Sequence, residues 1–240
     1  MKRVVITGAT SGIGKQLAKD YAKDGWQVFA CGRNAAALAE LDQHPNISVR
    51  QFDLTNAEQT QAQLANLPEL NLAILNAGTC EYIDDARQFD GALLARVMTA
   101  NVIGVGYCLQ ALLPQLASGS RLALMGSIAS TLPLPRAEAY GASKAAIAYL
   151  AQTLAIDLAG SDIGVSLITP GFVRTPLTDK NQFDMPMRIE VEDASERIRR
   201  DLARGRRQIH FPKRFTLALK LFGALPQRLW HSIALKGLKQ

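Results

Sequence analysis

Cysteine is scarce in this sequence, and the spacing of the few cysteines excludes two classes of small protein. Cys31, Cys80 and Cys108 are odd in number and far apart. They form neither a disulfide framework nor a Cys-x-x-Cys metal motif, so we expect a protein of a reducing compartment. Histidine is equally scarce, and because its three positions lie far from the motifs described below, we predict no metal site: His44, His210 and His231.

Long hydrophobic runs are also missing. The chain opens with Met1-Lys2-Arg3 and passes directly into a strand-sized apolar run without a cleavage-site pattern, so we predict no signal peptide. No uninterrupted apolar stretch approaches the roughly 20 residues that span a bilayer.

With 240 residues, 48% of them hydrophobic and 20% charged, and a mean hydropathy of +0.02, the chain is neither disordered nor fibrous. We expect a single domain in the cytoplasm.

Acidic residues are almost absent from the last part of the chain. From Arg197 onward there are 12 lysines and arginines but one acid, Asp201, so this part carries about +11 and the preceding body about −5. Such a division is typical of a basic tail that meets an anionic surface, either nucleic acid or membrane headgroups. The tail offers few aromatic side chains for base stacking, so we expect no nucleic-acid binding.

Short β-branched runs alternate with longer helical stretches through most of the sequence. Apolar strands joined by helical crossovers form a parallel sheet that is covered on both faces, so the sequence predicts an α/β, doubly wound Rossmann-type fold. The strands are predicted at residues 3–7, 27–31, 47–52, 72–75, 121–125, 165–168 and 208–211. We assign residues 1–211 to this domain and residues 212–240 to the basic tail.

Three glycines lie between the first strand and the first helix, in Thr7-Gly8-Ala9-Thr10-Ser11-Gly12-Ile13-Gly14. Glycine permits positive φ and leaves no Cβ, so the backbone can approach a pyrophosphate, while a helix N-terminus offers free N–H groups and partial positive charge. A glycine-rich turn that only joins strand to helix is the alternative. The Gly-x-x-x-Gly-x-Gly spacing resembles the loop of the short-chain dehydrogenase/reductase family.

The second strand ends without the acid that selects NAD in many dinucleotide-binding folds. Such an acid lies about 20 residues beyond the glycines and binds the ribose 2′-hydroxyl. Here the sequence reads Cys31-Gly32-Arg33-Asn34, and a guanidinium is suited to a 2′-phosphate. We therefore predict NADP(H) as the cofactor; a solvated arginine at the start of a helix is the alternative for Arg33.

A tyrosine and a lysine are spaced to share one face of a predicted helix, in Tyr140-Gly141-Ala142-Ser143-Lys144. A nearby ammonium favours the phenolate, so the sequence predicts a lowered tyrosine pKa and a usable general acid or base. Ser127 ends the fifth strand 13 residues earlier, and Asn101 lies in the long helix before that strand. Each residue has an ordinary alternative, as a solvated lysine, a capping serine or a helix-kink asparagine.

The resemblance to short-chain dehydrogenases/reductases covers about residues 2–176. It implies that Tyr140 donates a proton to a carbonyl oxygen, which Ser127 holds, as hydride arrives from the nicotinamide. It also implies that Lys144 binds the nicotinamide ribose and that Asn101 anchors a proton-relaying water. The implied cofactor-binding residues are Gly8, Thr10, Ser11, Gly12, Ile13, Gly14, Arg33, Asp53, Leu54, Asn76, Ala77, Gly78, Tyr140, Lys144, Pro170, Gly171, Val173 and Thr175.

The chain departs from the family pattern near its end. Gln208-Ile209-His210-Phe211 stands where many members have an Asp-Gly-Gly turn, and it resembles the ending of members that act on bulky hydrophobic carbonyls. We therefore predict NADPH-dependent reduction of a hydrophobic or lipid-like ketone or aldehyde, beneath a substrate loop at residues 176–196. A catalytically idle NADP-binding regulator of the same fold is the alternative.

Apolar and basic residues alternate with helical spacing from Lys213 to Gly223, which predicts an amphipathic helix. Pro226 separates it from a second helix at residues 227–239. The apolar face has two alternative partners. It either enters the headgroup layer of an anionic membrane, giving a peripheral protein at the inner membrane surface, or it packs on the domain or on another subunit of a homodimer or homotetramer.

Overall fold

Seven strands pair in parallel in the computed structural model, which describes residues 1–181 and 183–237. They are β1 (Arg3–Thr7), β2 (Gln27–Gly32), β3 (Ile47–Gln51), β4 (Leu70–Leu75), β5 (Leu116–Met125), β6 (Gly164–Pro170) and β7 (Gln208–Phe211). Their order in the sheet is β3-β2-β1-β4-β5-β6-β7. The order reverses between β1 and β4, and such a switch point opens a crevice at the carboxyl ends of the strands. The predicted fold is confirmed.

Helices cover both faces of the sheet. The α-helices of the described residues are α1 (Gly12–Lys23), α2 (Ala35–Leu41), α3 (Ala57–Leu64), α4 (Gly91–Met98), α5 (Gly104–Leu112), α6 (Glu138–Asp157), α7 (Val191–Ala203), α8 (Lys213–Gly223) and α9 (Gln227–Gly237). Successive side chains of a strand point to opposite faces. Accordingly Val4 and Ile6 pack with α1 and α7 in one core, whereas Val5 packs with α3, α5 and α6 in the other.

One feature differs from the sequence prediction. A single helix was expected at residues 89–117, but the helix begins after the Asp90 cap, and β5 already begins at Leu116. Pro114 ends the helix because its nitrogen cannot donate a backbone hydrogen bond. Helix α2, just after Arg33, is only seven residues long, and Asn34 starts it by accepting a hydrogen bond from the Ala37 N–H.

The stretch Gly91–Gln115, which joins α4 and α5 through a π-helical segment at Thr99–Ile103, is the one helix among the described residues long and apolar enough to cross a membrane. Its length and composition alone meet that test. Val97, Val105 and Leu112 are buried in the cores, so part of this apolar character is used in packing the domain.

The basic tail forms two helices that meet at Pro226, as predicted, although residues 238–239 of the predicted second helix lie outside the described part of the chain. Thr216 of α8 is fully buried, and the Phe215 ring lies 5.4 Å from the Phe172 ring, between centroids. In α9 the Trp230 indole N–H donates a hydrogen bond of 2.8 Å to the Pro133 carbonyl. Both tail helices therefore rest on the domain, and its boundary at residue 211 stays a prediction.

Candidate active site

The loop between β1 and α1 is built around glycines for two different reasons. Gly8 and Gly12 have positive φ angles of 66° and 50°. A Cβ on Gly14 would lie 2.2 Å from the Gly8 carbonyl oxygen, a distance that no side chain tolerates. Asn76, at the end of β4, donates from its amide to the carbonyls of Thr7 and Gly8. Gly14 therefore keeps the loop tightly folded, and Asn76 ties it to the neighbouring strand.

The N-terminus of α1 is open to an anion. Ser11 precedes the helix in an extended conformation, and its side chain makes no capping hydrogen bond. The first turn contains no acidic residue. The first N–H groups of the helix, together with the helix dipole, therefore present positive potential to the loop, which is the arrangement that binds phosphate groups.

A cleft of about 540 Å³ lies over the carboxyl ends of the strands. Every predicted site residue lines it except Gly14 and Asn101. The glycine loop forms one end of the cleft, and the pair Tyr140 and Lys144 lines the same cavity together with Ser127. The fold has therefore brought together residues that are more than 160 positions apart in the chain, from Gly8 to Thr175.

Arg33 and Asp53 form an ion pair at the edge of this cleft. The Arg33 Nη1 lies 3.1 Å from the Asp53 Oδ2, and the arginine side chain is 73% exposed. Burial alone would raise the pKa of Asp53, but hydrogen bonds from Thr55 and the charge of Arg33 outweigh it, and the pKa falls. The carboxylate stays charged at neutral pH, and the guanidinium keeps donors directed toward solvent.

Tyr140 lies in a desolvated position that raises its pKa to about 12. The Ser127 hydroxyl lowers this pKa by hydrogen bonding, yet burial dominates. The predicted lowering of the phenol pKa by Lys144 is therefore wrong for this structure. The Lys144 Nζ lies 5.8 Å from the centre of the Tyr140 ring, and burial lowers the pKa of the lysine and so disfavours its charged form. Tyr140 is thus protonated at neutral pH, in the form that donates a proton.

Lys144 is held in place by the end of β5. Its side chain is buried, and the Nζ donates a hydrogen bond of 2.8 Å to the Met125 carbonyl oxygen. Burial lowers the Lys144 pKa to about 8. A Cβ on Gly78 would lie 3.4 Å from this Nζ and 3.0 Å from the Asn101 Oδ1, so glycine at position 78 leaves room for the lysine head.

Asn101 lies in the π-helical segment and is 1% exposed. Its Nδ2 donates hydrogen bonds of 2.9 Å to the Thr79 carbonyl and to the Ser143 hydroxyl, and its Oδ1 accepts from the Thr79 N–H at 2.7 Å. The side chain therefore joins the segment after β4 to α6, which carries Tyr140 and Lys144. A π-turn is a frequent irregularity at functional sites.

Three further residues near the site, Cys80, Tyr82 and Phe172, are not predicted from the sequence, whereas Phe183 belongs to the predicted substrate loop. Cys80 is close enough to Tyr140 and Lys144 for charge coupling, and burial raises the pKa of its thiol, which stays protonated. The rings of Tyr82 and Phe183 lie 5.8 Å apart, and Phe183 also contacts Phe172 at 6.1 Å. The position of Cys80 and Tyr82, just beyond Asn76-Ala77-Gly78 at the end of β4, was the available signal.

Only the first residues of the predicted substrate loop line the cleft. Pro176, Leu177 and Thr178 line the cavity, and Val173 pairs with Ile189 in an isolated parallel bridge that closes the base of the loop. Phe183 and Met187 are 39% and 49% exposed. Neither side chain lines the cavity itself, and Gln182 lies outside the described residues.

No group of three or more histidine, cysteine, aspartate or glutamate side chains among residues 1–181 and 183–237 is arranged to hold a metal ion.

The sheet, the phosphate-accepting loop and the Ser-Tyr-Lys cluster define an NAD(P)-dependent oxidoreductase with a Rossmann-type fold. The family model described as short chain dehydrogenase matches residues 2–186. The chain therefore belongs to the short-chain dehydrogenase/reductase family.

Curated relatives cover most of the chain. An uncharacterized oxidoreductase of Myxococcus xanthus is 32% identical over 244 residues, covering 97% of this chain and 96% of the relative. The 11-beta-hydroxysteroid dehydrogenase A of Sesamum indicum is 32% identical over 255 residues, covering 92% of this chain and 72% of the relative. A 3beta-hydroxysteroid dehydrogenase of Mediterraneibacter gnavus is 31% identical, covering 78% and 72%.

Solved structures agree with the fold. A short-chain dehydrogenase from Burkholderia cenocepacia J2315 in complex with NADP superposes with a TM-score of 0.87 at 24% identity, covering 98% of this chain and 99% of the other. A short-chain dehydrogenase from Sphingobium yanoikuyae in complex with NADPH has a TM-score of 0.79 at 24% identity, covering 95% and 97%. At this identity the likeness shows the fold.

Proposed function

We propose that the protein is an NADPH-dependent reductase of hydrophobic ketones or aldehydes. The observation that carries the proposal is one continuous cleft with an anion-accepting loop at one end and Ser127, Tyr140 and Lys144 in the same cavity. Relatives that are named hydroxysteroid dehydrogenases support a bulky apolar substrate. The NADP and NADPH complexes of structures with the same fold support the cofactor.

The cleft has the features that such a dinucleotide requires. The glycine loop and the N-terminus of α1 would hold the pyrophosphate, Arg33 the 2′-phosphate, and Asp53 and Leu54 the adenine side. Ala77 and Gly78 would flank the adenine ribose, and the segment from Pro170 to Thr175 the nicotinamide carboxamide. When bound, NADPH supplies the hydride that reduces the carbonyl carbon.

The chain's own residues supply the proton. Tyr140, which burial keeps protonated, transfers its phenolic proton to the carbonyl oxygen, and the Ser127 hydroxyl donates a hydrogen bond to the same oxygen. Lys144 approaches the resulting phenolate with its ammonium and stabilises the negative charge. Asn101 holds the Thr79 backbone against α6, so that Lys144 and Tyr140 keep their positions.

We infer the substrate class from aromatic rings near the reacting groups. Tyr82, Phe172 and Phe183 form a chain of ring contacts, and Tyr82 is close enough to Tyr140 for charge coupling. Such surfaces favour apolar carbonyl compounds over charged ones because burying a charge without a partner is costly.

A screen of NADPH oxidation tests the proposed function. We expect turnover with cyclic and long-chain ketones or aldehydes and little turnover with keto acids of similar size. The measurement is the loss of NADPH absorbance at fixed protein concentration. Inactivity toward the whole apolar panel, in a protein that binds NADPH tightly, would contradict the proposal.

Replacing Arg33 with Ala is expected to weaken NADPH binding by about 10- to 100-fold, because charge-assisted hydrogen bonds to the 2′-phosphate contribute roughly 1.5–3 kcal/mol. NADH binding should change little, since NADH lacks that phosphate. Isothermal titration with both cofactors measures the ratio of dissociation constants, and Arg87→Ala, an exposed arginine outside the cleft, is the matched control. Equal affinities for NADPH and NADH in the parent protein would refute the assignment.

We also propose that the tail contacts an anionic membrane as a peripheral surface of a cytoplasmic protein. Leu217, Leu221, Leu229 and Ile233 are 54%, 70%, 54% and 43% exposed on α8 and α9. From Lys213 to the end the sequence contains no acid. Apolar side chains beside cations are typical of helices that bind the headgroup layer of a membrane. Each cation near an anionic surface contributes about 1 kcal/mol to the binding free energy.

Sedimentation with vesicles tests this surface. We expect salt-sensitive binding to vesicles that contain phosphatidylglycerol, and loss of that binding when Lys213, Arg214 and Lys220 are all replaced by Glu. Vesicles of phosphatidylcholine alone are the control. We propose a homodimer or homotetramer as the assembly; if the tail packs between its subunits, vesicle binding will be absent and truncation before Lys213 will change the mass in light scattering.

A further inference from the structure

A second cavity, which we name the α9 cavity, lies between helix α9 and the segment that follows Ser127. Its volume is about 700 Å³, within the range of small-molecule sites. Trp230, Ala234 and Leu235 of α9 form one wall. Residues 129–138 and the exposed side of α6 at Ala142 and Ala145 form the other. None of its lining residues lines the nucleotide cleft, so the two cavities are separate within the described chain.

The walls of the α9 cavity offer an apolar surface rather than hydrogen-bonding groups. Leucine, isoleucine, proline, alanine and tryptophan make up most of the lining. Some polar groups in the walls already have partners: the Trp230 N–H donates to the Pro133 carbonyl, and the Ser130 hydroxyl donates to the Ser127 carbonyl at 2.7 Å. Arg136 is paired with Asp84. An aliphatic chain loses no hydrogen bonds to water when it enters such a lining, whereas a sugar or nucleotide would lose many, so the lining suits the chain better.

The charged residues around the opening of the cavity indicate which polar group an aliphatic ligand would carry at its end. Helix α9 lies in a stretch of 28 residues that contains no acid, and it brings His231 to the lining with Arg228 in the adjacent turn. On the opposite wall the pair of Arg136 and Asp84 is neutral, so Glu138 is the remaining acid of the described lining. Arg228, which is not itself a lining residue, is therefore the cation on the helix side, and an anionic head would lie there, away from Glu138.

We propose that the α9 cavity binds the aliphatic chain of an anionic amphiphile such as a fatty acid, with its carboxylate at the mouth beside α9. This site goes beyond the proposed reductase activity and does not depend on it. Ala129 and Ser130 lie two and three residues after Ser127, and Gly141 and Ala142 follow Tyr140 directly. An occupant would therefore lie against the two segments that carry the hydroxyl groups of the candidate active site.

Tryptophan quenching by a brominated chain tests the site directly. The chain has two tryptophans, and Trp26 packs far from the cavity against Tyr21 and Lys2. We expect 12-bromododecanoate, below its micelle concentration, to quench the fluorescence of the Trp26→Phe protein along a saturable curve. The Trp230→Phe protein should show little saturable quenching. Quenching that rises linearly in both proteins would overturn the proposal.

A pair of variants on α9 separates the cavity from the helix surface. Ala234→Phe places a ring inside the cavity, whereas Ser232→Phe adds the same ring at an exposed position outside the lining. We expect Ala234→Phe to bind 12-bromododecanoate on the order of tenfold more weakly, because the ring displaces the volume of several methylene groups. Ser232→Phe should bind it as tightly as the parent. Ala145→Phe fills the cavity from α6 and gives the same test if Ala234→Phe fails to fold. Equal affinity in all variants would refute the site.

Two further ligands test whether the bound molecule needs an anionic head and whether it comes from a bilayer or from solution. Binding of 12-bromododecanol as tight as that of the acid would overturn the anionic head. Vesicles of brominated phosphatidylcholine that quench Trp230 equally in the parent and in Ala234→Phe would assign Trp230 to a bilayer surface and overturn the cavity. Loss of vesicle quenching in Ala234→Phe, together with saturable binding of the free acid, supports a chain-binding cavity that accepts its ligand from either source.

Discussion

Replacing Tyr140 with Phe is expected to lower kcat for ketone reduction by about 10²- to 10⁴-fold, which is the usual contribution of a positioned proton donor. The substitution removes only the hydroxyl, and the aromatic ring still fills its half-buried position near Lys144. The dissociation constant of NADPH should therefore change little. Single-turnover kinetics and a cofactor titration on the same preparation measure the two quantities separately.

A second tyrosine on the same helix provides the control for this experiment. Tyr149 is 75% exposed, so Tyr149→Phe removes a phenol from α6 without reaching the cleft. Its kcat should equal that of the parent. If Tyr140→Phe retains most of its activity, the proton comes from another group, and Tyr82, whose phenol is close enough to couple with Tyr140, is the first to replace.

Replacing Lys144 with Met is expected to lower kcat to a similar extent and also to weaken NADPH binding. The substitution keeps the unbranched shape of the side chain, one atom shorter, but removes the ammonium that faces Gly78 and donates to the Met125 carbonyl. In the parent protein the reduction rate should fall as the pH rises through about 8, because the buried lysine loses its proton there. This limb of the pH profile should disappear in Lys144→Met. An unchanged pH profile would show that Lys144 does not titrate in the reaction.

The same substitution has a predictable effect on stability. Burial places the pKa of Lys144 in the folded protein at about 8, below its ordinary value of 10.5, so charging this lysine opposes folding. The stabilisation by neutral Lys144 is present above pH 10.5 and is lost as the pH falls through 8. The free energy of unfolding of Lys144→Met minus that of the parent should therefore be roughly 3 kcal/mol larger at pH 7 than at pH 10.5. Denaturant titrations at both pH values measure this difference, with the exposed Lys23→Met as control.

The order of strands and helices was predictable because it depends on local patterns. Short apolar runs such as Val4-Val5-Ile6 are strands because both faces of the sheet are covered, and Pro226 divides the tail because proline cannot continue a helix. Boundaries were less accurate where tertiary pairing extends an element. β5 begins at Leu116 because Leu116 pairs with Leu70, a contact between segments 46 residues apart.

Most of the residues that line the cleft could be predicted from the order of the strands and the spacing within one helix. Strands of a parallel sheet end at one edge, so residues that follow them, such as Asn76 after β4 and Ser127 after β5, share that edge in any fold of this class. Spacing within one helix likewise places Tyr140 and Lys144 on one face. These relations follow from the chain direction and the helical repeat, which a linear sequence specifies.

The electrostatics of the site and the surfaces around it depend on contacts between segments that are distant in the sequence. Proximity to Lys144 predicted an acidic Tyr140, yet the burial that the surrounding loops impose raises the pKa instead. The ring contacts of Phe183, the hydrogen bonds of Asn101 and the α9 cavity each join segments far apart in the chain. Desolvation and packing depend on everything that surrounds a group in space, and no pattern within one segment carries that information.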